Sequence, residues 1–295
     1  IENLELRDTV QNDNELHAEH CEVQVSAVSL NFRDVLNVLG MYPGDPGEPG
    51  CEYSGVITQI GKAVSRFQVG DEVVGIGSGC MRQTIREHNL MMCIKPANLS
   101  MAQSATIPIV FCTVELALGE LACLQAGETV LIHAAAGGVG LAAIQYAQRK
   151  GATVIATASE GKHEYLRSLG VELITSSRDA EQFRADLTSM GYMGKVDVVL
   201  NSLSDDYIPF SIDALTSEGR FIEIGKRGIW TPEEVNSFRD DVIYHVIALD
   251  VMSCEESLRF CTLLQKVCTS FKGGNWQTLP QTAYDMFKQF GEAFH

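Results

Sequence analysis

The stretch Thr129-Val130-Leu131-Ile132-His133-Ala134-Ala135-Ala136-Gly137-Gly138-Val139-Gly140-Leu141-Ala142-Ala143-Ile144 reads as a buried strand, a tight small-residue turn and the opening of a helix. Small residues let a backbone approach a pyrophosphate. The helix N-terminus adds N–H groups without intrahelical acceptors and the positive end of the helix dipole. Strand, turn and helix in this order imply a dinucleotide site with Gly137, Gly138, Val139 and Gly140 against the phosphates, although Ala135 replaces the first glycine of the usual G-x-G-x-x-G pattern. His133 precedes the turn and reads as a satisfied strand-end histidine rather than a catalyst.

Downstream, strand-like and helix-like segments alternate with short connections. Strands are expected at 129–133, 153–157, 171–174, 196–200, 220–224 and 243–249, and helices at 139–149, 162–169, 180–190 and 208–215. This pattern predicts an α/β, doubly wound parallel sheet. Upstream, 22–28, 54–60 and 71–76 alternate apolar and polar residues between Gly, Pro and Asp, as β segments do, and Ser104-Ala105-Thr106-Ile107-Pro108 leads into a helical run through Leu121. The segment after Asp250 returns to mixed character and is expected to pack back on the first unit. The cofactor domain, 112–245, would then be an insertion in a substrate domain made of 1–111 and 246–295.

The end of the second strand bears on cofactor choice. An NAD-binding chain places Asp or Glu about 20 residues beyond the turn to hold the ribose 2′-OH; here Thr157 stands there. Ser159 and Lys162 follow it, and Ser177 and Arg178 follow the third strand. Two hydroxyls and two cations suit a 2′-phosphate through charge-assisted hydrogen bonds, favouring NADPH over NADH.

Composition excludes several classes. The 295 residues carry 38 acidic against 22 basic side chains, a formal charge of −16, so the mean field repels nucleic acid and anionic membrane surfaces. No stretch has the length of a membrane span, and Ile1-Glu2-Asn3-Leu4 has neither the basic nor the apolar region of a signal peptide. A start at Ile suggests a piece of a longer chain. The nine cysteines form no Cys-x-x-Cys pair and fit free thiols in a reducing cytoplasm. Cys254, Cys261 and Cys268, seven apart, are expected as buried small hydrophobes on one helix face.

Asn31-Phe32-Arg33-Asp34-Val35-Leu36, Leu39-Gly40-Met41-Tyr42-Pro43-Gly44 and Gly50-Cys51-Glu52-Tyr53-Ser54-Gly55 closely resemble the enoyl reductase domains of modular polyketide synthases, in the zinc-free medium-chain dehydrogenase/reductase superfamily. The turn at 133–140, Val196-Asp197-Val198-Val199-Leu200-Asn201-Ser202-Leu203 and the segment Gly219-Arg220-Phe221-Ile222-Glu223-Ile224-Gly225-Lys226 follow in family order. The resemblance runs over essentially the whole chain, except that the family continues beyond Phe294 to a last Gly-Lys-hydrophobic strand. It implies a Rossmann cofactor domain inserted in a mainly β, GroES-like substrate domain. Where zinc-dependent relatives place His in a Gly-His-Glu motif, this chain has Cys51, and a clustered cysteine quartet is absent, so no metal is expected.

The implied reaction is hydride addition from NADPH to the β-carbon of an enoyl thioester carried on an acyl carrier protein, then protonation of the α-carbon. The resemblance puts Tyr42 facing the α-carbon, where its phenol could donate the proton; Lys226 follows the strand at 220–224, at the C-terminal edge of the sheet, where its ammonium could donate to the enolate or protonate carbon, and Asp250 resembles the family partner that positions that lysine. It implies Asn31, Thr113 and Asn201 as polar neighbours of the nicotinamide. The other domains of a longer synthase are the expected neighbours, and the isolated domain is expected to be monomeric. Three alternatives stay open: closure of a cyclopropane by displacement of a γ leaving group, NADPH quinone reduction, and a nucleotide-binding interaction module without chemistry.

Overall fold

The computed structural model of the chain describes residues 15–42, 44, 45 and 47–294. Ile1–Leu4, and Pro43 of the Tyr42 loop, lie outside these residues. The described chain divides into two compact units, one running to Ile109 and resuming at Asp250, the other spanning Val110–Leu249. Sequence pattern alone puts these limits at 111 and 246.

The first unit is built on an antiparallel sheet of β1 (His20–Val28), β2 (Glu52–Ile60), β3 (Glu72–Ile76), β4 (Thr84–His88) and β5 (Met92–Ile94), in the order β4-β1-β2-β3-β5. Alternation sorts the faces: Cys21 and Val23 on β1 join Tyr53, Ile57, Val73 and Met92 in one core. Gly55 is required in β2, because a Cβ there would lie 2.3 Å from the Gln24 carbonyl oxygen across the β1 register shift. A short helix α1 (Phe32–Val38) joins β1 to the loop before β2. After a short α2 (Met101–Ala105), the helical run begins as α3 (Pro108–Val114) at Pro108 itself, where the missing N–H costs nothing in a first turn. Residues Glu115–Leu121 then wind as a π-helix.

In the second unit, all strands are parallel. They are β6 (Thr129–Ile132), β7 (Thr153–Ala158), β8 (Leu173–Ser176), β9 (Val196–Asn201), β10 (Leu215–Glu223) and β11 (Ile243–Val246), ordered β11-β10-β9-β6-β7-β8. Helices α4 (Gly138–Lys150), α5 (His163–Ser168), α6 (Ala180–Ser189), α7 (Tyr207–Ala214) and α8 (Pro232–Phe238) connect them. This is the doubly wound sheet read from the sequence, and its order reverses between β6 and β9, where ligands of such sheets bind. Leu131, Ile155, Val199 and Phe221 from four neighbouring strands pack with Phe183 and Ile212 from the helices.

Several limits differ from expectation. β8 runs 173–176 rather than 171–174, and β10 begins at Leu215 with an irregularity before Arg220. β11 stops at Val246, and Asp250 lies in the first turn of helix α9 (Leu249–Glu255), where a carboxylate complements the helix dipole. α10 (Ser257–Lys272) returns to the first unit, packing its apolar face near β5, and α11 (Phe290–Ala293) follows. The three-cysteine stripe is not one face: a break at Glu256 leaves Cys254 exposed on α9, while Cys261 and Cys268 are buried on α10. No helix among the described residues is long and apolar enough to cross a membrane.

Candidate functional site

The turn after β6 is pinned from behind. Thr157, fully buried at the end of β7, accepts the Ala134 N–H on its hydroxyl at 3.0 Å, and its carbonyl accepts the Ala135 N–H at 2.9 Å. Ala134 takes the left-handed conformation, φ 46°, and reverses the chain. Gly140 is packed so closely on Ala135 that an added Cβ would lie 2.5 Å from the Ala135 Cα. Leu141 is the first amide to bond back, to the Gly137 carbonyl at 2.8 Å, so those of Gly138, Val139 and Gly140 have no carbonyl of their own helix to meet. Gly137 and Gly138 are exposed. An open first helical turn with a glycine forced by backbone contact suits a pyrophosphate.

Strand pairing places the next candidates along the same edge. Ala158 is registered with Ser176, so Ser159 and Ser177 leave adjacent strands together, and the Ser177 N–H reaches the Ala158 carbonyl at 3.1 Å. Ser159 caps the short turn Glu160–Lys162, which leaves Lys162 exposed. Arg178 is likewise exposed, its N–H donating to the Ser176 hydroxyl at 3.0 Å. Both cations are thus available to a ligand.

On the other side of β6, a chain of buried polar groups crosses three strand ends. The Ser211 hydroxyl lies 3.1 Å from His133 Nε2, and His133 Nδ1 lies 2.5 Å from Asn201 Oδ1. Asn201 Nδ2 donates to the Leu203 carbonyl at 2.8 Å and to Glu223 Oε2 at 2.6 Å, while Glu223 Oε1 accepts the Gly225 N–H at 2.6 Å. Burial holds His133 neutral, its pKa lowered to about 4, and pushes the Glu223 carboxyl up to about 7 against the bonds it accepts. Lys226, partly exposed, follows in the loop after β10. The Ser202 hydroxyl beside Asn201 is buried with no partner among the described residues, an orphan that a ligand group would satisfy. Thr113 sits one residue from the end of α3 and is buried.

The first unit contributes two clusters. Asn31 caps α1, its N–H donating to Asp34 Oδ2 at 2.9 Å, and its side-chain amide donates to Glu52 Oε1 at 2.8 Å. Glu52 is fully buried, accepting also the Ser29 hydroxyl and the Ile109 N–H, and burial raises its pKa to about 7. In the second cluster the Tyr42 hydroxyl donates to Asp250 Oδ2 at 3.2 Å; the Arg33 guanidinium lies over the Tyr42 ring, 5.2 Å from its centroid, and 3.7 Å from the same carboxylate. Partial burial and then the Asp250 charge raise the Tyr42 pKa, keeping the phenol protonated at neutral pH. The sequence coupled Asp250 with Lys226; Lys226 belongs to the second unit, and within its own unit Asp250 engages Tyr42 and Arg33. Sequence reasoning missed Arg33, Glu52, Ser202, Ser211 and Glu223. All but Ser211 lie inside segments quoted for the resemblance.

Residues 17–128 match the family model of the alcohol dehydrogenase GroES-like domain, and residues 138–262 that of the zinc-binding dehydrogenase. The chain is 37% identical over 281 residues to pikromycin polyketide synthase component PikAII of Streptomyces venezuelae, a match covering 92% of this chain and 7% of that protein. It therefore spans a small part of the curated relatives it matches. Among solved structures it is similar to CurK enoyl reductase, with 38% identity and TM-score 0.87 over 97% of this chain and 89% of that one. It is also similar to the CurF ER cyclopropanase from the curacin A biosynthetic pathway, with 35% identity and TM-score 0.89 over 96% and 89%.

The name of the second family model implies zinc. Among the described residues no group of three or more His, Cys, Asp or Glu could hold a metal ion. Cys51 is a buried thiol donating to Asp34 Oδ1 at 3.4 Å, with its pKa pushed up to about 12, whereas a ligand must be a thiolate. These residues do not fit the metal.

Proposed function

The chain belongs to the enoyl reductase domains of modular polyketide synthases, and from that premise we propose that it reduces the double bond of an α,β-unsaturated acyl thioester presented on an acyl carrier protein, with NADPH as reductant. The observation that carries the reading is the open turn at 137–140, backed by Thr157 and flanked by Ser159, Lys162, Ser177 and Arg178. Bound NADPH would supply the hydride. Residues 110–249 are the cofactor domain, with the Gly138, Val139 and Gly140 amides on the pyrophosphate and the two hydroxyls and two cations on the 2′-phosphate. Asn31, Thr113 and Asn201 are the polar neighbours of the nicotinamide.

Residues up to Ile109 and from Asp250 form the substrate domain. Tyr42 donates the proton to the α-carbon: its raised pKa keeps that proton in place until a basic carbon forms, Arg33 holds the ring, and the hydroxyl hydrogen turns from Asp250 to the carbon as it is delivered, leaving a phenolate. The Lys226 ammonium steadies the enolate oxygen that develops on the thioester. The carrier protein and neighbouring synthase domains are the partners, in a reducing cytoplasm that keeps the nine cysteines as thiols, and the isolated domain is a monomer.

The likeness to the CurF cyclopropanase supports a second reading. If the substrate carries a γ leaving group, attack by the α-carbon closes a three-membered ring in place of protonation, and the same residues serve. Intact-mass analysis of a carrier-bound enoyl substrate after incubation with NADPH decides among these readings. Reduction predicts a gain of two hydrogens; loss of a γ leaving group identifies ring closure. An unchanged carrier substrate overturns the proposal, in favour of quinone reduction if NADPH is consumed with a quinone and of a binding module if it is not.

A further inference from the structure

The polar chain at the ends of β6, β9 and β10 has a direction, set by which of its groups can donate. Asn201 Nδ2 spends its two hydrogens on the Leu203 carbonyl and on Glu223 Oε2, neither of which can donate when Glu223 is ionised. Asn201 Oδ1 must therefore be the end that faces His133, and His133 must offer it an N–H from Nδ1. His133 is buried and neutral, so its Nε2 is then an acceptor, and the Ser211 hydroxyl is left to donate to it. Every link from Ser211 to Glu223 points the same way, and the chain ends on a group that only accepts.

The same carboxylate holds the loop beyond it. Its Oε1 accepts the Gly225 N–H at 2.6 Å, and a Cβ at Gly225 would lie 2.7 Å from that oxygen, so glycine there permits the close approach. Gly225 directly precedes Lys226. The Leu203 carbonyl and N–H hold the Asn201 amide in the same sense, at 2.8 and 3.3 Å, so Glu223 completes that orientation and also holds the start of the turn that carries Lys226.

We propose that Glu223 is a positioning residue for hydride transfer: its two carboxylate oxygens lock the buried Asn201–His133–Ser211 chain behind the strand ends and, in front of it, the exit of the backbone toward Lys226. This rests on the reading of Lys226 as a site residue. Glutamine has the same shape and cannot substitute, because it owns one acceptor and one donor where two donors converge. With its oxygen on the Gly225 N–H, the glutamine of Glu223→Gln would turn an N–H toward the Asn201 N–H, which must either lose its partner or invert the amide against Leu203 and force His133 into the other tautomer. With its oxygen on Asn201, that glutamine would oppose the Gly225 N–H and release the turn.

The test compares wild type, Glu223→Gln and Glu223→Asp at pH 8, where the carboxylate is ionised. NADPH affinity is read by fluorescence titration, turnover with a carrier-bound enoyl thioester, and the His133 tautomer by 15N NMR assigned against His133→Phe. Wild-type His133 is expected to be neutral with its proton on Nδ1. Glu223→Gln is expected to lower kcat by roughly tenfold, as for a transition-state interaction lost through a misdirected group, while NADPH Kd stays within about threefold. Glu223→Asp, which keeps two acceptors on a shorter arm, should recover part of the rate. A Glu223→Gln enzyme with kcat within twofold of wild type, or wild-type His133 protonated on Nε2, overturns the proposal. The wild-type tautomer is decisive even if a variant fails to fold. If wild type binds NADPH but does not turn over the thioester, the functional reading fails while the tautomer still tests the polarity of the chain.

Discussion

Gly140→Ala is the sharpest probe of the cofactor turn, because the structure defines what the added methyl would meet. Its Cβ would lie 2.5 Å from the Ala135 Cα and carbonyl oxygen and 2.6 Å from the carbonyl carbon, about 1 Å inside ordinary contact. None of these atoms belongs to a flexible side chain. Ala135 cannot retreat cheaply, since its N–H is bonded to the Thr157 carbonyl and the Ala134 N–H to the Thr157 hydroxyl. The start of α4 must move instead, at about 1–3 kcal/mol, the usual cost of forced overpacking. The first-turn amides move with it, and a misfit of about 1.4 kcal/mol in phosphate binding is a tenfold loss of NADPH affinity. Gly161→Ala is the control: the added Cβ would meet no atom within 4 Å and the backbone is not left-handed there, so folding stability should change by no more than about 0.5 kcal/mol. Urea unfolding and fluorescence titration with NADPH measure both effects. A Gly140→Ala protein as stable as wild type that binds NADPH within twofold would refute the claim that contact with Ala135 forces this glycine.

Replacing both Lys162 and Arg178 by Ala should weaken NADPH roughly tenfold or more and leave NADH binding within about twofold, since only the 2′-phosphate loses its charge-assisted partners; a parallel loss for both cofactors in the same titration would remove these residues from the 2′-phosphate site. Glu52→Gln should flatten the pH dependence of stability. With a folded pKa of about 7 against 4.5 unfolded, Glu52 contributes stability that is complete below 4.5 and lost as pH rises through 7, on the order of 3 kcal/mol in all. Denaturation midpoints at pH 5 and pH 8 should therefore differ less in the variant, and an unchanged difference would show that Glu52 titrates normally.

The cofactor turn was legible because its determinants are local: apolar strand, small residues and helix start lie within sixteen consecutive positions. The parallel sheet was legible for the same reason. β4 and β5 were not. Thr84–His88 holds one buried residue, Ile85, and β5 is three residues long; both sit at sheet edges, where long-range pairing rather than periodicity makes the strand. Asp250 looked like a strand-end residue because Ile243–Leu249 is almost continuously apolar, and only the fold shows that Leu249 already begins a helix. Cys254, Cys261 and Cys268 kept a helical period across a break that no local signal marked. Glu223 carried a signal of its own: it shares a strand face with Phe221 and stands between Ile222 and Ile224 at the buried end of a strand flanked on both sides. Glu52 gave less warning, because its burial depends on Ser29, Asn31 and Ile109, brought together by tertiary structure.

Glu52 and Glu223 lie in different units and share one arrangement. Each is a buried carboxyl that accepts the side-chain amide of an asparagine on one oxygen and a backbone N–H on the other, Asn31 and Ile109 in one case, Asn201 and Gly225 in the other. For stability alone this is a poor choice. Both carboxyls are raised to about 7 by desolvation, so each weakens the fold as pH rises into the range where it ionises. An apolar pair of similar volume would avoid that cost, and glutamine would reduce it. Neither could accept on both oxygens at once, which is what makes an asparagine amide point one way and not the other. In the second unit the orientation fixed in this way is handed on from Asn201 to His133 and Ser211. The buried glutamates therefore exchange folding stability for a fixed hydrogen-bond direction. That exchange is expected at a binding site and has no use in a hydrophobic core.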